Sequence, residues 1–379
     1  MQRFPRNIVY LILTCVSLGC FQNEGKKTSK PSVFNISPEQ RLYDSLNCMS
    51  FFDSLLPGNS FNGGILVARK GVVVYEKYNG TVRLNNDDII NSSTPFHIAS
   101  SSKPFTAMAI LRLKEEGKLK LTDSLQQYFP GFPYKNVTIE LLLTHRSALP
   151  EYIHFLHEYW EDKKRKATNQ DVLNILINQK PPLRGSTGKS FQYCNTNYLL
   201  LALIIEKVSG TTYPLYLKKV FFDPLQMNNT FVYQPTEESR ITPSFRPNGI
   251  MESSTFLDQT YGDKNIYSTV RDILKWDQAF YTDFFSDEIK KKAFTPTSFE
   301  KKGINNYGMG WRMYVLDSTK KIIYHNGWWH SNNSCFYRAI TDSVSIIILG
   351  NKMNNRIYHV QPLVERLTQL RFPGSAKSE

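Results

Sequence analysis

Cysteine is sparse in this chain, and the five that occur show no C-x-x-C spacing. Two of them, Cys15 and Cys20, fall in an N-terminal leader, which leaves Cys48, Cys194 and Cys335 as an odd set. Neither a disulfide framework nor a cysteine zinc site is indicated. Long apolar runs are also missing. The one candidate, Ile8 to Leu18, is shorter than the ~20 residues a helix needs to cross a bilayer. Low-complexity tracts and internal repeats are absent, since the 19 Pro and 20 Gly are dispersed over 379 residues of which 41% are hydrophobic. A disordered, collagenous or repeat-built protein is thereby excluded. Acidic residues are in deficit, 33 against 46 Lys and Arg, and the formal net charge is +13. The positives gather in Lys163-Lys164-Arg165-Lys166 and Lys290-Lys291-Lys292, solvated faces or patches for an anionic surface. Neither run is interleaved with aromatics on a nucleic-acid module, so no nucleic-acid partner is expected.

The short apolar run reads as a signal peptide over residues 1–19. Arg3 and Arg6 form the positive region, Ile8 to Leu18 the apolar region, and Ser17-Leu18-Gly19-Cys20 ends it with small residues. Cleavage before Cys20 would place a lipid anchor on that cysteine and attach the protein to a membrane of the bacterial cell envelope; plain secretion is the alternative. Lipoboxes usually carry Leu where Ser17 stands. Residues 20–38 are polar, rich in Lys and Ser, and aperiodic, which suits a tether.

The folded part is expected over residues 39–372, with 373–379 a tail. Ser37-Pro38-Glu39-Gln40 is a helix start, and Leu42, Leu46 and Met49 continue at helical spacing to about Leu55. Gly63–Arg69 and Val72–Tyr78, joined by Lys70-Gly71, make a hairpin. A helix from Ser101 to Glu116 is apolar nearly all round and should be central and buried. Another runs from Thr196 to Val208 and stops at Gly210. Strands return at Gly310–Val315, Lys321–His325, Ser334–Ile340 and Val344–Gly350, and an amphipathic helix near Val360–Leu370 closes the chain. The implied class is mixed α/β of the α+β kind. An antiparallel sheet is built from both chain ends (39–98 and 256–372), flanked by terminal helices, with a mostly helical part inserted at 99–255.

A serine three residues before a lysine puts both side chains on one helix turn, where a desolvated amine can take the hydroxyl proton. The tetrad occurs four times, at Ser100–Lys103, Ser186–Lys189, Ser298–Lys301 and Ser318–Lys321. Only the first opens a buried apolar helix, where the helix N-terminus and a free backbone N–H could receive an oxyanion. Two further elements follow in order. Tyr193-Cys194-Asn195 precedes an apolar helix, and His325-Asn326-Gly327 ends a predicted strand. Taken singly, Ser100 or Asn195 could be a helix cap and His325 a satisfied strand-end histidine. The ordered triple is what selects them.

His97-Ile98-Ala99-Ser100-Ser101-Ser102-Lys103 with these two elements resembles the active-site signature of the serine β-lactamases and penicillin-binding proteins. The similarity extends from about Phe61 to Lys352 through Leu141-Leu142-Leu143-Thr144-His145, Asp223-Pro224-Leu225 and Ser268-Thr269-Val270-Arg271-Asp272. The Y-x-N and H-x-G forms resemble the class C β-lactamase-like branch, which includes D,D-peptidases, D-aminopeptidases and esterases. The chain departs from that pattern at His145-Arg146-Ser147-Ala148-Leu149, where H-T-S-G-L is usual, and at Ser331, where Gly is usual.

The resemblance implies a serine hydrolase working through an acyl-enzyme on an amide or ester. Ser100 would be the nucleophile, Lys103 and Tyr193 would share proton transfer, and Asn195 would hold Lys103 and the substrate amide. His325 and Gly327 would line the sheet-side wall, and the backbone N–H groups of Ser100 and Trp328 would form the oxyanion hole. Trp328-Trp329-His330 could wall the acyl pocket or pack at a strand edge. A D-amino-acid peptide or small ester is the expected substrate. A true β-lactamase and an acyl-binding module without turnover are the alternatives. His325 replaces the family's usual lysine, which weakens the expected selection for a substrate carboxylate. Neither cofactor nor metal is expected: Glu151, His154, His157, Glu158 and Glu161 could share a helix face, but no H-E-x-x-H occurs. The oligomeric state is not indicated.

Overall fold

The computed structural model describes residue 1, residues 35–83 and residues 87–373. The leader, Cys20 and nearly all of the tether and tail lie outside the described residues.

Ser37 starts the first helix, Pro38–Leu55, by accepting the Gln40 N–H on its hydroxyl (3.1 Å), with Pro38 in the first turn. The face turned inward differs from the one the spacing of Leu42, Leu46 and Met49 suggests. Those three are exposed, and Asp44, Cys48, Phe51 and Phe52 are buried. An ion pair sets this rotation, because Asp44 binds Arg69 of the first strand at 2.6 Å.

Ten strands follow among the described residues: β1 Gly63–Arg69, β2 Val72–Asn79, β3 Phe96–His97, β4 Phe231–Val232, β5 Ile266–Ser268, β6 Asn305–Tyr307, β7 Arg312–Val315, β8 Lys321–Trp329, β9 Asn332–Ala339 and β10 Val344–Gly350. Seven form an antiparallel sheet in the order β2-β1-β10-β9-β8-β7-β6. The two chain ends meet in it, since β1 pairs with β10 from Gly63–Gly350 to Arg69–Val344. On one face the first helix and the last, Gln361–Leu367, bury Phe52 and Leu363 with Val67 and Ile348. On the other, the helices Lys103–Glu115, Asn195–Ser209 and Val270–Ala279 form the larger core, with Met108, Leu199 and Trp276 in one apolar cluster. A small sheet, β3-β5-β4, stands beside it.

Several boundaries move relative to the sequence reading. β8 continues to Trp329, so His325-Asn326-Gly327 lies inside a strand rather than at its end. The chain reverses only at His330, which takes a left-handed φ of 51°. β7 starts at Arg312 because Gly310 turns at φ 83° against the central helix, where a Cβ would stand 2.4 Å from that of Ala107. The last helix is shorter than expected and stops at Leu367. Strands β3, β4, β5 and β6 leave no signal in the sequence, because two or three residues show no period.

The larger core is tied to the sheet by a buried ion pair. Asp277, on the helix Val270–Ala279, accepts from Arg338 of β9 (Nε, 2.5 Å) and from Ser345 of β10 (2.6 Å). Removing one partner of such a pair leaves an uncompensated buried charge. Asp277→Asn is expected to lower the free energy of unfolding by about 3 to 5 kcal/mol, measured by urea denaturation.

Candidate active site

The site is built around a strained turn. Ala99 has φ 50°, a left-handed conformation that a residue with a Cβ adopts only when its surroundings hold it. Three contacts hold it. The Ala99 N–H donates to His97 Nδ1 (3.1 Å), whose Nε2–H in turn reaches Asn265 Oδ1 (2.8 Å), so the imidazole is fixed in one tautomer. Ser101 Oγ donates to the His325 carbonyl (3.1 Å), and Ser334 Oγ donates to the Ile98 carbonyl (2.7 Å). The turn is thereby stitched to β8 and β9. Gly327 is where the backbones come closest, since a Cβ there would lie 2.3 Å from the Ile98 carbonyl and 3.0 Å from the Ala99 Cβ. Glycine is required at this place by proximity.

After one 3-10 turn, Ala99–Ser102, the central helix begins at Lys103. Lys103 is 0% exposed. Its Nζ lies 3.0 Å from Ser100 Oγ, 2.8 Å from Asn195 Oδ1 and 2.9 Å from the Asp263 carbonyl. The last two oxygens can only accept. Two N–H bonds of Lys103 are committed to them, and the contact with Ser100 is the one along which a proton can pass either way.

Glu151 sets the orientation of Asn195. Its Oε2 accepts the backbone N–H of Asn195 (2.8 Å) and its Nδ2 (3.2 Å), which leaves Oδ1 for Lys103. Burial raises the pKa of this carboxyl, and the bond from the Asn195 N–H opposes the shift. Sequence reasoning grouped Glu151 with His154, His157, Glu158 and Glu161; the structure separates it from them. Its side chain turns inward as the cap of the helix Tyr152–Tyr159, and the His157 ring packs against Phe256, 5.0 Å between centroids. Among the described residues no three His, Cys, Asp or Glu side chains come together as a metal group.

Tyr193 stands over the amine, its ring centroid 5.0 Å from Lys103 Nζ. His145 supports it from below, with ring centroids 4.3 Å apart. Its Nδ1 accepts from the Cys194 N–H (3.2 Å), which fixes the peptide between Tyr193 and Asn195. Burial, with Lys103 and Arg312 nearby, pushes the pKa of His145 well below the usual histidine value. His325 is pushed down in the same way, by burial first and then by Arg312 and Lys103. Its Nδ1 donates to the Asn326 carbonyl (2.8 Å). His325 is 0% exposed, so it supports the sheet-side wall from behind rather than forming its surface. Trp328 is 61% exposed, whereas Trp329 is held by Asp258 (Nε1 to Oδ1, 3.0 Å) and covers Lys264 (4.6 Å). Edge packing therefore describes Trp329.

The structure thus brings Ser100, Lys103, Tyr193 and Asn195 into one cluster, with Gly327 and His325 directly behind it. Sequence reasoning missed Glu151 in this role, the Asp263 carbonyl, and Arg312. The Asp263 carbonyl left no signal in the sequence at all, because any residue would supply it.

Residues 57–369 match the Beta-lactamase family. Penicillin-binding protein 4* of Bacillus subtilis (strain 168) is 32% identical over 330 residues, covering 82% of this chain and 72% of that protein. The fold is similar to that of a penicillin binding protein from Bacillus halodurans, with TM-score 0.72 and 23% identity over 84% of this chain and 98% of that one. It is also similar to that of the D-amino acid amidase from Ochrobactrum anthropi SV3, with TM-score 0.68 and 19% identity over 86% and 97%. The chain belongs to the Beta-lactamase family and is a serine hydrolase of the β-lactamase-related, penicillin-binding-protein-like type.

Two outcomes follow from the turn. Gly327→Ala should push β8 away from Ser100 and lower p-nitrophenyl butyrate hydrolysis by roughly 100-fold, as a misplacement of about 1 Å does. Unchanged turnover would show that the backbones can separate freely. His97, whose pKa burial pushes down to about 4, is neutral in the folded chain and takes up a proton on unfolding below its ordinary 6.5. Stability is then fully present above pH 6.5 and falls as pH drops toward 4, by about 3 kcal/mol from this group. In urea denaturation at pH 7 and pH 4, His97→Gln should show a correspondingly smaller drop than the parent chain.

Proposed function

We propose that the chain is an exported hydrolase that forms an acyl-enzyme on Ser100, with a D-amino-acid peptide or a small ester as substrate. The observation that carries this reading is the placement of Lys103 Nζ, 3.0 Å from Ser100 Oγ with its other donors committed elsewhere. In acylation, Ser100 Oγ bonds to the substrate carbonyl carbon as its proton passes to Lys103. The backbone N–H groups of Ser100 and Trp328 receive the oxyanion. The Lys103–Tyr193 pair then delivers the proton to the leaving amine or alkoxide as its bond to carbon breaks. Deacylation repeats the steps with water, and the proton returns to Ser100. Asn195 keeps Lys103 in register throughout.

The similarity in fold to a D-amino acid amidase supports an amide as substrate. The leader supports export, with a lipid on Cys20 as the anchor to an envelope membrane. A true β-lactamase ranks lower, because rapid deacylation of a β-lactam needs more than the relay described. A module that is acylated without turnover ranks with it, disfavoured by the intact relay.

One experiment tests the assignment and the ranking together. A fluorophosphonate probe should label the wild type and fail to label Ser100→Ala. Steady-state kcat/KM should be higher for a D-Ala-D-Ala peptide or p-nitrophenyl butyrate than for nitrocefin. Labelling that survives in Ser100→Ala removes the nucleophile assignment. A nitrocefin lead beyond about tenfold, ~1.4 kcal/mol in transition-state binding, makes the chain a β-lactamase. A burst without later turnover makes it an acyl-binding module.

A further inference from the structure

A second buried lysine follows directly on the carbonyl that holds Lys103. Lys264 is 2% exposed, and Asp263, whose carbonyl accepts from Lys103 Nζ (2.9 Å), is the residue before it. The Lys264 amine binds the Tyr152 hydroxyl and Thr260 Oγ1 and stands 4.6 Å from the Trp329 ring centroid. Both hydroxyl hydrogens are used elsewhere. Tyr152 donates to Asp263 Oδ2 (3.0 Å) and Thr260 donates to the Leu257 carbonyl (3.0 Å), so each oxygen is left to accept from Lys264. A neutral amine would need a donor for its lone pair, and none of these three partners offers one. Two acceptors and an aromatic face are the surroundings of an ammonium.

Asp263 is the acid that this ammonium balances. Its carboxylate is buried and lies 3.9 Å from Lys264 Nζ. Oδ2 accepts from Tyr152, while Oδ1 is buried without a hydrogen-bond partner. The charge is therefore held chiefly by Lys264 and only in part by hydrogen bonds. The carboxylate hangs two carbons from the carbonyl bonded to Lys103, so an unbalanced charge there would act on that amine through a medium of low dielectric. Other ionisable groups face the two lysines. On the Lys264 side, Asp258 is tied to Trp329 and His330, and His97 is kept neutral by burial. Around Lys103, Glu151 is bound to Asn195, the Tyr193 and Tyr198 rings lie at 5.0 and 5.8 Å, and burial keeps His145 and His325 uncharged. Lys264 is the cation paired with Asp263 among the described residues.

We propose that Lys264 is a positioning residue for the general base: it cancels the Asp263 charge, so that the segment holding Lys103 by its carbonyl fixes the amine without drawing a proton onto it. Lys103 then keeps the lone pair that takes the Ser100 proton in acylation. One residue thereby serves two ends. The Asp263 carbonyl directs an N–H of Lys103, and the carboxylate of the same residue is silenced by the next residue in the chain. This inference rests on the hydrolase reading and deepens it. Its sign can be worked out. Loss of Lys264 leaves a carboxylate that favours the protonated form of Lys103, so the pH at which acylation sets in must rise. Loss of the carboxylate alone leaves an extra cation, so that pH must fall.

The rate of labelling by a fluorophosphonate probe, followed in the full chain from about pH 5 to about pH 10, tests this. In that step Ser100 Oγ bonds to phosphorus, fluoride leaves, and the serine proton passes to Lys103, so the rate falls at low pH, where the amine carries a proton. Lys264→Met should move this acid limb upward by about one unit or more, with labelling at least about tenfold slower below the limb and near the wild-type rate above it. Asp263→Asn should move the limb downward, and the double variant should return it close to the wild-type position. A uniform loss of rate with an unmoved limb shows a structural role only and overturns the proposal, as does a flat profile in every chain. Should Lys264→Met fail to fold, the downward shift in Asp263→Asn carries the test, and its absence overturns the proposal. Labelling of Ser100→Ala would remove the hydrolase reading itself. Labelling that requires Ser100 but shows an unmoved limb would remove this inference alone.

Discussion

The amine of Lys103 lies fully out of water and is held by three oxygens, one local and two distant in the chain: Ser100 on its own helix turn, Asn195 about ninety residues on, and the carbonyl of Asp263. A buried ammonium or amine with an unfilled donor is expensive, so none of the three can drift without cost. The requirement propagates outward. Asn195 needs Glu151 to choose which end of its amide faces the lysine, and Glu151 must itself be buried to reach it. Tyr152, the next residue, binds the Asp263 side chain (3.0 Å), so the segment that holds Asn195 also holds the segment that supplies the carbonyl. The acceptors therefore form a closed set in which each member restrains another.

A second constraint acts from the sheet side. The turn before Ser100 is strained at Ala99, and strain persists only where the surroundings over-determine it. The small sheet and the large one both contribute here. β3 carries His97, which holds the Ala99 N–H, while β8 and β9 bind the turn through Ser101 and Ser334. Gly327 lets the backbones meet. Ser100 is thus placed by two sheets at once, in addition to its contact with Lys103 at the start of the helix that follows.

What could be read from sequence follows the range over which each signal acts. The Ser100–Lys103 spacing, the apolar helices and the pairing of N- and C-terminal strands were visible because they depend on neighbours or on periodicity. The triplet His325-Asn326-Gly327 was visible as a pattern, but its place within a strand was not, since Trp328 and Trp329 extend β8 past the expected turn. The first helix shows the limit most plainly. Its apolar spacing pointed to one face, and a long-range ion pair from Asp44 to Arg69 chose another. Glu151 was noticed for the wrong reason, as one of five residues on a supposed helix face. Arg312 was not noticed, because a lone arginine in a strand differs from any surface arginine only through the acid that it lacks.

The same long-range placement shapes the field at the reaction centre. Lys103 and Arg312 flank Tyr193, and Lys264 lies buried beside Tyr152. The two histidines of the cluster, His145 and His325, are kept uncharged by burial and by these cations. They fill space and fix hydrogen bonds without adding positive charge. Of the nearby acids, Glu151 is pushed toward its neutral form and Glu300 is bound by Arg146. Lys264 is paired with Asp263 (3.9 Å), so the cation of this cluster without an acid among the described residues is Arg312, in a setting of low dielectric where such charge acts strongly. Acyl transfer develops negative charge on the carbonyl oxygen, so a pre-set field of this sign lowers its transition state without reorganisation. Neutral histidines belong to that arrangement: were they to charge, Arg312 would gain like-charged neighbours in a buried site.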